Sequence, residues 1–397
     1  MKIEEMTDPG AFQHLRNEWS ELVNLSSEAT IFQTCEWQDA WWRYFGQRKQ
    51  LRILVVRENG CVVGIAPLYV SSHFRTPFRR LAFVGCGVSD YLTPIVANHC
   101  AEEVATDLLH YLVDHFHGWD LADLQQIAPD STWLRMAAEF NRGRQAPPFT
   151  TQEMEPCPYL SLTSRWEEVI GKFGKKLRSN IGYYERLLYR TYQDVDLSLH
   201  QGGDIGPVMN EMFSLHQRRW RSRWLPGVLG SARTRAFHQL VAGRFAESGW
   251  LRLHTLLLDG RVAAALYCFQ YRDRYYYYLG GFDPGLARLS LGTVLTAAAI
   301  KQAVSESCRT FDFLRGRESY KYRWCSGDRV NRRLIIGGPG MRSRMLYNWL
   351  QWEWHLAEQA KAIADHRSAD SDKKRRAGSG KTGADVTAVG IGGGHNL

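Results

Sequence analysis

Hydrophobic positions along the chain come in two matched sets. LRILVVRENGCVVGIAPLYV from Leu51 and LRLHTLLLDGRVAAALYCFQ from Leu251 align without gaps at an offset of 200 residues, with four of twenty positions identical. In each, an extended apolar run reaches Asn59-Gly60 or Asp259-Gly260, and a second apolar run follows. Those dipeptides accept the positive φ of a type I′ turn, so each segment predicts a β-hairpin. The sequence that follows matches too. Leu81 to Val84 predicts a strand, Ala101 to Phe116 a helix and Asp120 to Ile127 a strand; Arg274 to Gly280, Leu291 to Val304 and Thr310 to Leu314 predict the same series again. Helices are predicted ahead of the hairpins at Glu36 to Phe45, Pro207 to Trp220 and Thr234 to Ser248. Two copies of an α-ββ-β-α-β unit give a mixed-sheet α/β (α+β) fold with two related domains.

Pro147, Pro148, Pro156 and Pro158 predict a break in regular structure between Gly143 and Pro158, dividing an N-terminal domain, 1–150, from a C-terminal one, 151–341. Arg342 to Asp365 reads as a helix with Met345, Trp349, Trp352, Leu356 and Ile363 on one face. Such a helix either docks on the second domain or meets a membrane surface or partner, as its tryptophans with Arg342 and Arg344 would suit. Residues 366–397 are rich in Gly, Ser, Lys and Arg without periodicity and are expected to be disordered.

Composition narrows the partners. The chain has 397 residues, 44% apolar and 23% charged, which excludes a wholly disordered or fibrous protein. Fifty Lys and Arg against 41 Asp and Glu leave +9. Six cations against three aspartates place +3 of this in the tail, so the folded body keeps +6 and favours anions such as phosphates, RNA or lipid headgroups. MKIEEM has no secretory pattern, and no run approaches the roughly 18 apolar residues of a membrane span. A cytoplasmic location is expected, with a peripheral place at the inner membrane face open through the Trp-rich helix. Eight cysteines form no CxxC pair and match no histidine cluster, so no metal site or disulfide framework is expected. GSGKTG in the tail is not a phosphate loop, because Arg375 stands where its first glycine belongs.

Candidate chemistry gathers in the second copy. Its helix opens with Ser290, Leu291, Gly292 and Thr293, whose backbone N–H groups favour an anion such as a pyrophosphate, whereas the first copy's helix opens with Glu102 and Glu103, which would repel one. The first domain is therefore read as degenerate for cofactor binding. Three basic segments flank the second copy: Lys172 to Arg190, with Lys176 and Arg178; Leu215 to Trp224, with Arg219; and Leu314 to Arg333, with Arg315 and Arg323. They predict an anion-binding cleft. His216 lies on an apolar helix stripe with Met209, Met212 and Trp220, as a core histidine or as an acid/base at the cleft edge. Phe311 to Trp324 is densest: Asp312 at a strand end, then Gly316 for a turn, then Glu318, Tyr320, Lys321, Tyr322 and Arg323.

FDFLRGRESYKYRW resembles the DFLRG-x-E-x-YK-x-RW hallmark of CelD-like acyltransferases of the GNAT superfamily, associated with cellulose or exopolysaccharide biosynthesis and related to FemAB-type aminoacyl transferases. KKLRSN (Lys175 to Asn180), LHQRRW (Leu215 to Trp220), GGFDP (Gly280 to Pro284), SLGT (Ser290 to Thr293), FQTCEWQDAWW (Phe32 to Trp42) and SDYLTP (Ser89 to Pro94) extend the resemblance over about residues 30 to 335. SLGT replaces the usual SPGT, and Arg317 stands where acids are common. The resemblance implies tandem acyltransferase domains and acyl transfer from acyl-CoA, acetyl-CoA first, to an amine acceptor such as an amino sugar or glycan of envelope-polysaccharide synthesis. Under it, Glu318 or Asp312, then His216, would take the amine proton, Lys321 would support the oxyanion, and Tyr320 or Tyr322 would protonate the thiolate. Ser290 to Thr293 with Arg315 and Arg323 would hold the donor, and Trp37, Asp90 and Tyr91 with Lys176, Arg178 and Arg219 the acceptor. Aminoacyl-tRNA as donor, with nucleic-acid contact, and a non-enzymatic accessory role are the alternatives.

Overall fold

Asn59 (φ +50°) with Gly60 (φ +85°), and Asp259 (φ +46°) with Gly260 (φ +75°), turn both hairpins with positive φ at each central residue. The computed structural model describes residues 1–72, 78–116, 118–142, 148–221, 229–338 and 340–352, with the backbone alone at 219–221. Residues 353–397, which include the remainder of the predicted C-terminal helix and the tail, lie outside the described residues.

The first copy comprises β1 (Lys2–Met6), α1 (Ala11–His14), α2 (Arg16–Leu25), α3 (Cys35–Phe45), the hairpin β2 (Lys49–Glu58) and β3 (Cys61–Ser72), β4 (Arg79–Phe83), β5 (Ile95–Val96), α4 (Ala101–His110), β6 (Leu121–Ile127) and α5 (Thr132–Arg142). The second comprises β7 (Phe149–Ser161), α6 (Trp166–Gly171), α7 (Lys175–Thr191), β8 (Val195–His200), α8 (Gly206–Arg221), α9 (Ala232–Glu247), the hairpin β9 (Leu251–Leu258) and β10 (Arg261–Tyr271), β11 (Arg274–Phe282), α10 (Leu291–Ser305), β12 (Thr310–Asp312) and β13 (Gly327–Gly337). The helix predicted over Ala101 to Phe116 is α-helical only to His110 and ends in a π-helical turn, Tyr111–His115.

The described strands form one mixed sheet in the order β1-β2-β3-β4-β6-β13-β7-β12-β11-β10-β9-β8, with β5 against β3. Only β4 with β6 and β11 with β12 are parallel. The halves are interlocked: β7, the first strand of the second copy, pairs with β12, while β13, its last strand, crosses to pair with β6 of the first. β7 and β13 pair with each other along the middle.

Regular structure runs through Pro156 and Pro158, because Phe149–Ser161 is a continuous strand, while Pro147 lies outside the described residues. Proline removes an N–H but leaves its carbonyl. Those carbonyls are used: Pro158 O accepts from Phe313 N and Pro156 O from Gly316 N, each at 2.9 Å.

Trp37 joins the two copies. It meets Phe32 and Phe237 edge-on at ring centroid distances of 5.0 and 5.1 Å and Tyr278 at 5.6 Å. A second apolar cluster lies between α7, α10 and one face of β9 to β12, around Tyr275, Ile300, Phe311 and Phe313. The helix after β13, α11 (341–352), starts beside the first copy, where Gly338 N donates to Asp120 O at 2.9 Å. Thr150 of β7 lies near the Tyr347 hydroxyl on it, so the helix borders the first copy and β7.

Candidate functional site

β11 and β12 part company. Their parallel pairing covers Arg274 to Tyr276 against Thr310 to Asp312, after which β11 runs on to Phe282 while Phe313 turns to β7. A register shift at Tyr267/Cys268 puts a bulge at Tyr278 on β11. Bulges re-aim side chains and often stand beside functional sites. The Tyr278 ring enters the core beside Trp37, and its hydroxyl donates to Val88 O at 2.7 Å. α8 crosses β11 at Gly281, where a Cβ would stand 2.7 Å from His216 N. Glycine is what permits that approach.

Beyond β11, Asp283 closes the turn by accepting from Gly285 N at 2.9 Å, and Arg218 reaches its other oxygen at 3.4 Å. Ser290 takes φ +46° to start α10, and its carbonyl accepts from Thr293 N at 2.8 Å. The first turn of α10 carries no acid, whereas that of α4 carries Glu102 and Glu103. The opening in the sheet therefore borders a helix start whose dipole favours negative charge.

The opposite wall is the turn after β12. Leu314 has φ +56° and Gly316 φ +127°, and the fold is built on the buried Lys321, whose Nζ donates to Arg315 O at 2.7 Å and Leu314 O at 3.3 Å and meets Glu318 Oε2 at 3.0 Å. Its three N–H donors are thus engaged. Lys321 holds the turn. Glu318 stays half exposed at the rim. Tyr320 is half-buried, 6.3 Å from the Tyr277 ring, and the exposed Tyr322 hydroxyl lies 3.5 Å from Asp328. Arg323 is exposed.

Asp312 is fully buried. Tyr91 Oη donates to its Oδ2 at 2.8 Å, Leu314 N to its Oδ1 at 2.8 Å, and Arg329 Nη1 stands 3.8 Å away. Burial pushes its pKa up to about 6 against these contacts, which favour the anion. Burial, reinforced by Asp312, raises Tyr91 well above the ordinary phenol range. Next to it Arg315 Nε lies 3.6 Å from Asp90 Oδ1, its Nη1 donates to Ser89 O at 3.3 Å and its Nη2 to Gly87 O. Burial raises Asp90 although Arg315 opposes it. With its amide turned to satisfy both neighbours, Gln126 of β6 adds contacts of 3.0 Å to Arg315 and 3.3 Å to Asp90.

These contacts revise several expectations. Asp90 and Tyr91 are buried ties to the second copy instead of an open acceptor surface, and Arg315 is held by the first-copy loop rather than poised for a phosphate. Trp37 is wholly buried, donating from Nε1 to Ser89 Oγ at 2.7 Å, so it supports that loop from behind. His216 is buried where α8 meets β11. Nearby His238, which sequence reasoning missed, is driven down to about 3 by burial and by His216. Lys176 and Arg178 are exposed on the first turns of α7; the Arg219 side chain lies outside the described residues. Part of the basic stretch Leu314 to Arg333 is internal: Arg329 faces Asp312, and Arg333 makes contacts of 2.6 and 3.0 Å with the buried Asp123 of β6.

Residues 175–322 match the family model for the acetyltransferase (GNAT) domain. The chain has a GNAT-like fold. That match takes in α7, the parting strands, α10 and the Lys321 turn, and leaves out the first copy, β7 and β13. No curated protein matches the sequence. Among solved structures, FemX is similar with a TM-score of 0.62 at 11% identity, over 88% of this chain and 99% of that one. L-PGS from Bacillus licheniformis is similar with a TM-score of 0.52 at 11% identity, over 86% and 95%. The C-terminal domain (DUF2156) of a putative lysylphosphatidylglycerol synthetase from Agrobacterium fabrum gives 0.50 at 11%, over 85% and 95%. At such identities the likeness is one of fold, and it takes in both copies.

Proposed function

We propose that this chain is an acyl-CoA-dependent N-acyltransferase, with acetyl-CoA as first candidate donor. One observation carries the reading: within the matched GNAT domain, β11 and β12 part beside a helix start free of acids, while the equivalent helix of the first copy begins with two glutamates. The residues fit the donor, since the segment Ser290 to Thr293 would take its pyrophosphate on the first-turn N–H groups of Leu291 and Gly292, while Ser290 N and Thr293 N close the helix start on Ala287 O and Ser290 O. The donor supplies a thioester carbonyl; the acceptor nitrogen bonds to that carbon as the C–S bond breaks, the amine gives up a proton and the thiolate gains one. Glu318, half exposed at the rim, is the residue proposed to take that proton. Asp312 keeps the turn in place through Leu314 N, and Tyr320 or Tyr322 would return a proton to sulfur.

The acceptor is proposed to be an amino sugar or glycan amine of envelope-polysaccharide synthesis, as the CelD-like resemblance of the Phe311 to Trp324 motif implies. The exposed cations Lys175, Lys176 and Arg178 on α7 support a second donor, aminoacyl-tRNA, in an enzyme of similar fold. Melting the protein with CoA and with tRNA separates them: CoA alone should raise the melting temperature. A rise with tRNA alone overturns the CoA reading. Absence of thiol release from acetyl-CoA with every member of an amino-sugar panel would move weight to an accessory, non-enzymatic role.

A further inference from the structure

α11 carries a bare apolar stripe. Met341, Met345, Trp349 and Trp352 are between 54% and 80% exposed. At 3.6 residues per turn they fall within an arc of about 80°, with Asn348 at its edge. The other side of the helix faces the body: Ser343 is buried, and Leu346, Tyr347 and Leu350 are partly so. The stripe thus follows from the helix being already docked by its opposite face.

Charge is arranged around it. Arg344 lies on one side of the stripe and Arg342 on the other, both exposed, and no acid occurs from 340 to 352. Arg79, near the helix start, adds no free charge, since its Nε pairs with Asp120 at 3.6 Å. A second copy pairing parallel through the same stripe would set Arg342 and Arg344 against their like. The chain's own tail, with +3 over 366–397, brings more positive charge. A surface that is apolar beneath and negative on top answers both features, since Trp favours the headgroup level and Arg reaches up to it.

We infer that α11 docks in the interface of an anionic phospholipid bilayer, lying on it with Trp349 and Trp352 inserted and Arg342 and Arg344 at the headgroups. This is a contact in the membrane plane, and among the described residues no helix is long and apolar enough to cross. It stands independently of the acyl-transfer reading.

The test is co-sedimentation of the full chain with phosphatidylcholine vesicles, with and without phosphatidylglycerol, combined with Trp emission and light scattering. The expected result is binding to the phosphatidylglycerol vesicles with a blue shift, weakened by salt, and reduced about tenfold or more both in Trp349→Ser/Trp352→Ser and in Arg342→Glu/Arg344→Glu. Unchanged circular dichroism melts would show those variants folded. Failure to bind at any phosphatidylglycerol content overturns the inference. So does undiminished binding by the variants, or a dimer that the Trp variant dissolves without any vesicle binding.

Discussion

Tyr91 and Asp312 are 221 residues apart in sequence, yet the phenol of a first-copy loop donates at 2.8 Å to the carboxylate that ends β12 of the second. Asp90 and Arg315 add a second link, one residue before Tyr91 and three after Asp312. The wall of the candidate site is therefore assembled from both copies, and the first copy contributes by holding the second in shape.

Tyr91→Phe removes that donor and leaves a buried acceptor short of a partner. Urea unfolding at pH 7 should show a loss of about 1–3 kcal/mol. An unchanged midpoint and slope would mean that the contact does not join the copies energetically.

Asp312 gives stability a pH dependence of known sign. Its folded pKa, about 6, lies above the ordinary 3.8. Between those values the folded state binds more protons than the unfolded one, so stability from this group is full below pH 4 and is lost as pH rises through 6, by roughly 3 kcal/mol. Unfolding measured from pH 4 to 7 should fall more steeply in the wild type than in Asp312→Asn; parallel profiles would contradict the assignment.

The Lys321 turn tolerates no side chain at Gly316. At φ +127° an added Cβ would come 3.0 Å from Lys321 Nζ and closer still to Glu318. Gly316→Ala should cost about 1–3 kcal/mol in chemical denaturation and abolish acyl transfer, whereas Arg317→Ala, exposed in the same turn, should change stability little.

Helix stability and donor binding should separate at Gly292, where an added Cβ meets only Phe282, at 3.8 Å. In Gly292→Glu a carboxylate enters the first turn of α10, favoured by the helix dipole and by propensity by about 0.5–1 kcal/mol. The melt should hold or rise while CoA loses its stabilising effect. Glu102→Gln, at the start of α4, should leave the CoA response intact.

The periodic elements were legible because local chemistry matches the fold: Asn59-Gly60 and Asp259-Gly260 set the hairpins, and apolar spacing set α3, α8, α9 and α10. The central strands were not. β7 carries Pro156 and Pro158, which local rules read as breaks; in the sheet they give up an N–H but their carbonyls still accept from Gly316 N and Phe313 N. β13 was hidden by Arg329, Arg332 and Arg333, charges that read as solvated until Asp312, Glu153 and Asp123 are brought opposite. The motif after Phe311 marked the right turn in the chain. It did not show that Lys321 and Arg315 are occupied inside it, because their partners include backbone carbonyls and a loop more than 200 residues away.

The most direct measurement is a structure of the protein with CoA bound. The account predicts its pyrophosphate on the backbone of Ser290 to Thr293, with the thiol end directed between β11 and β12. CoA at the start of α4, or bound away from both openings, would contradict it.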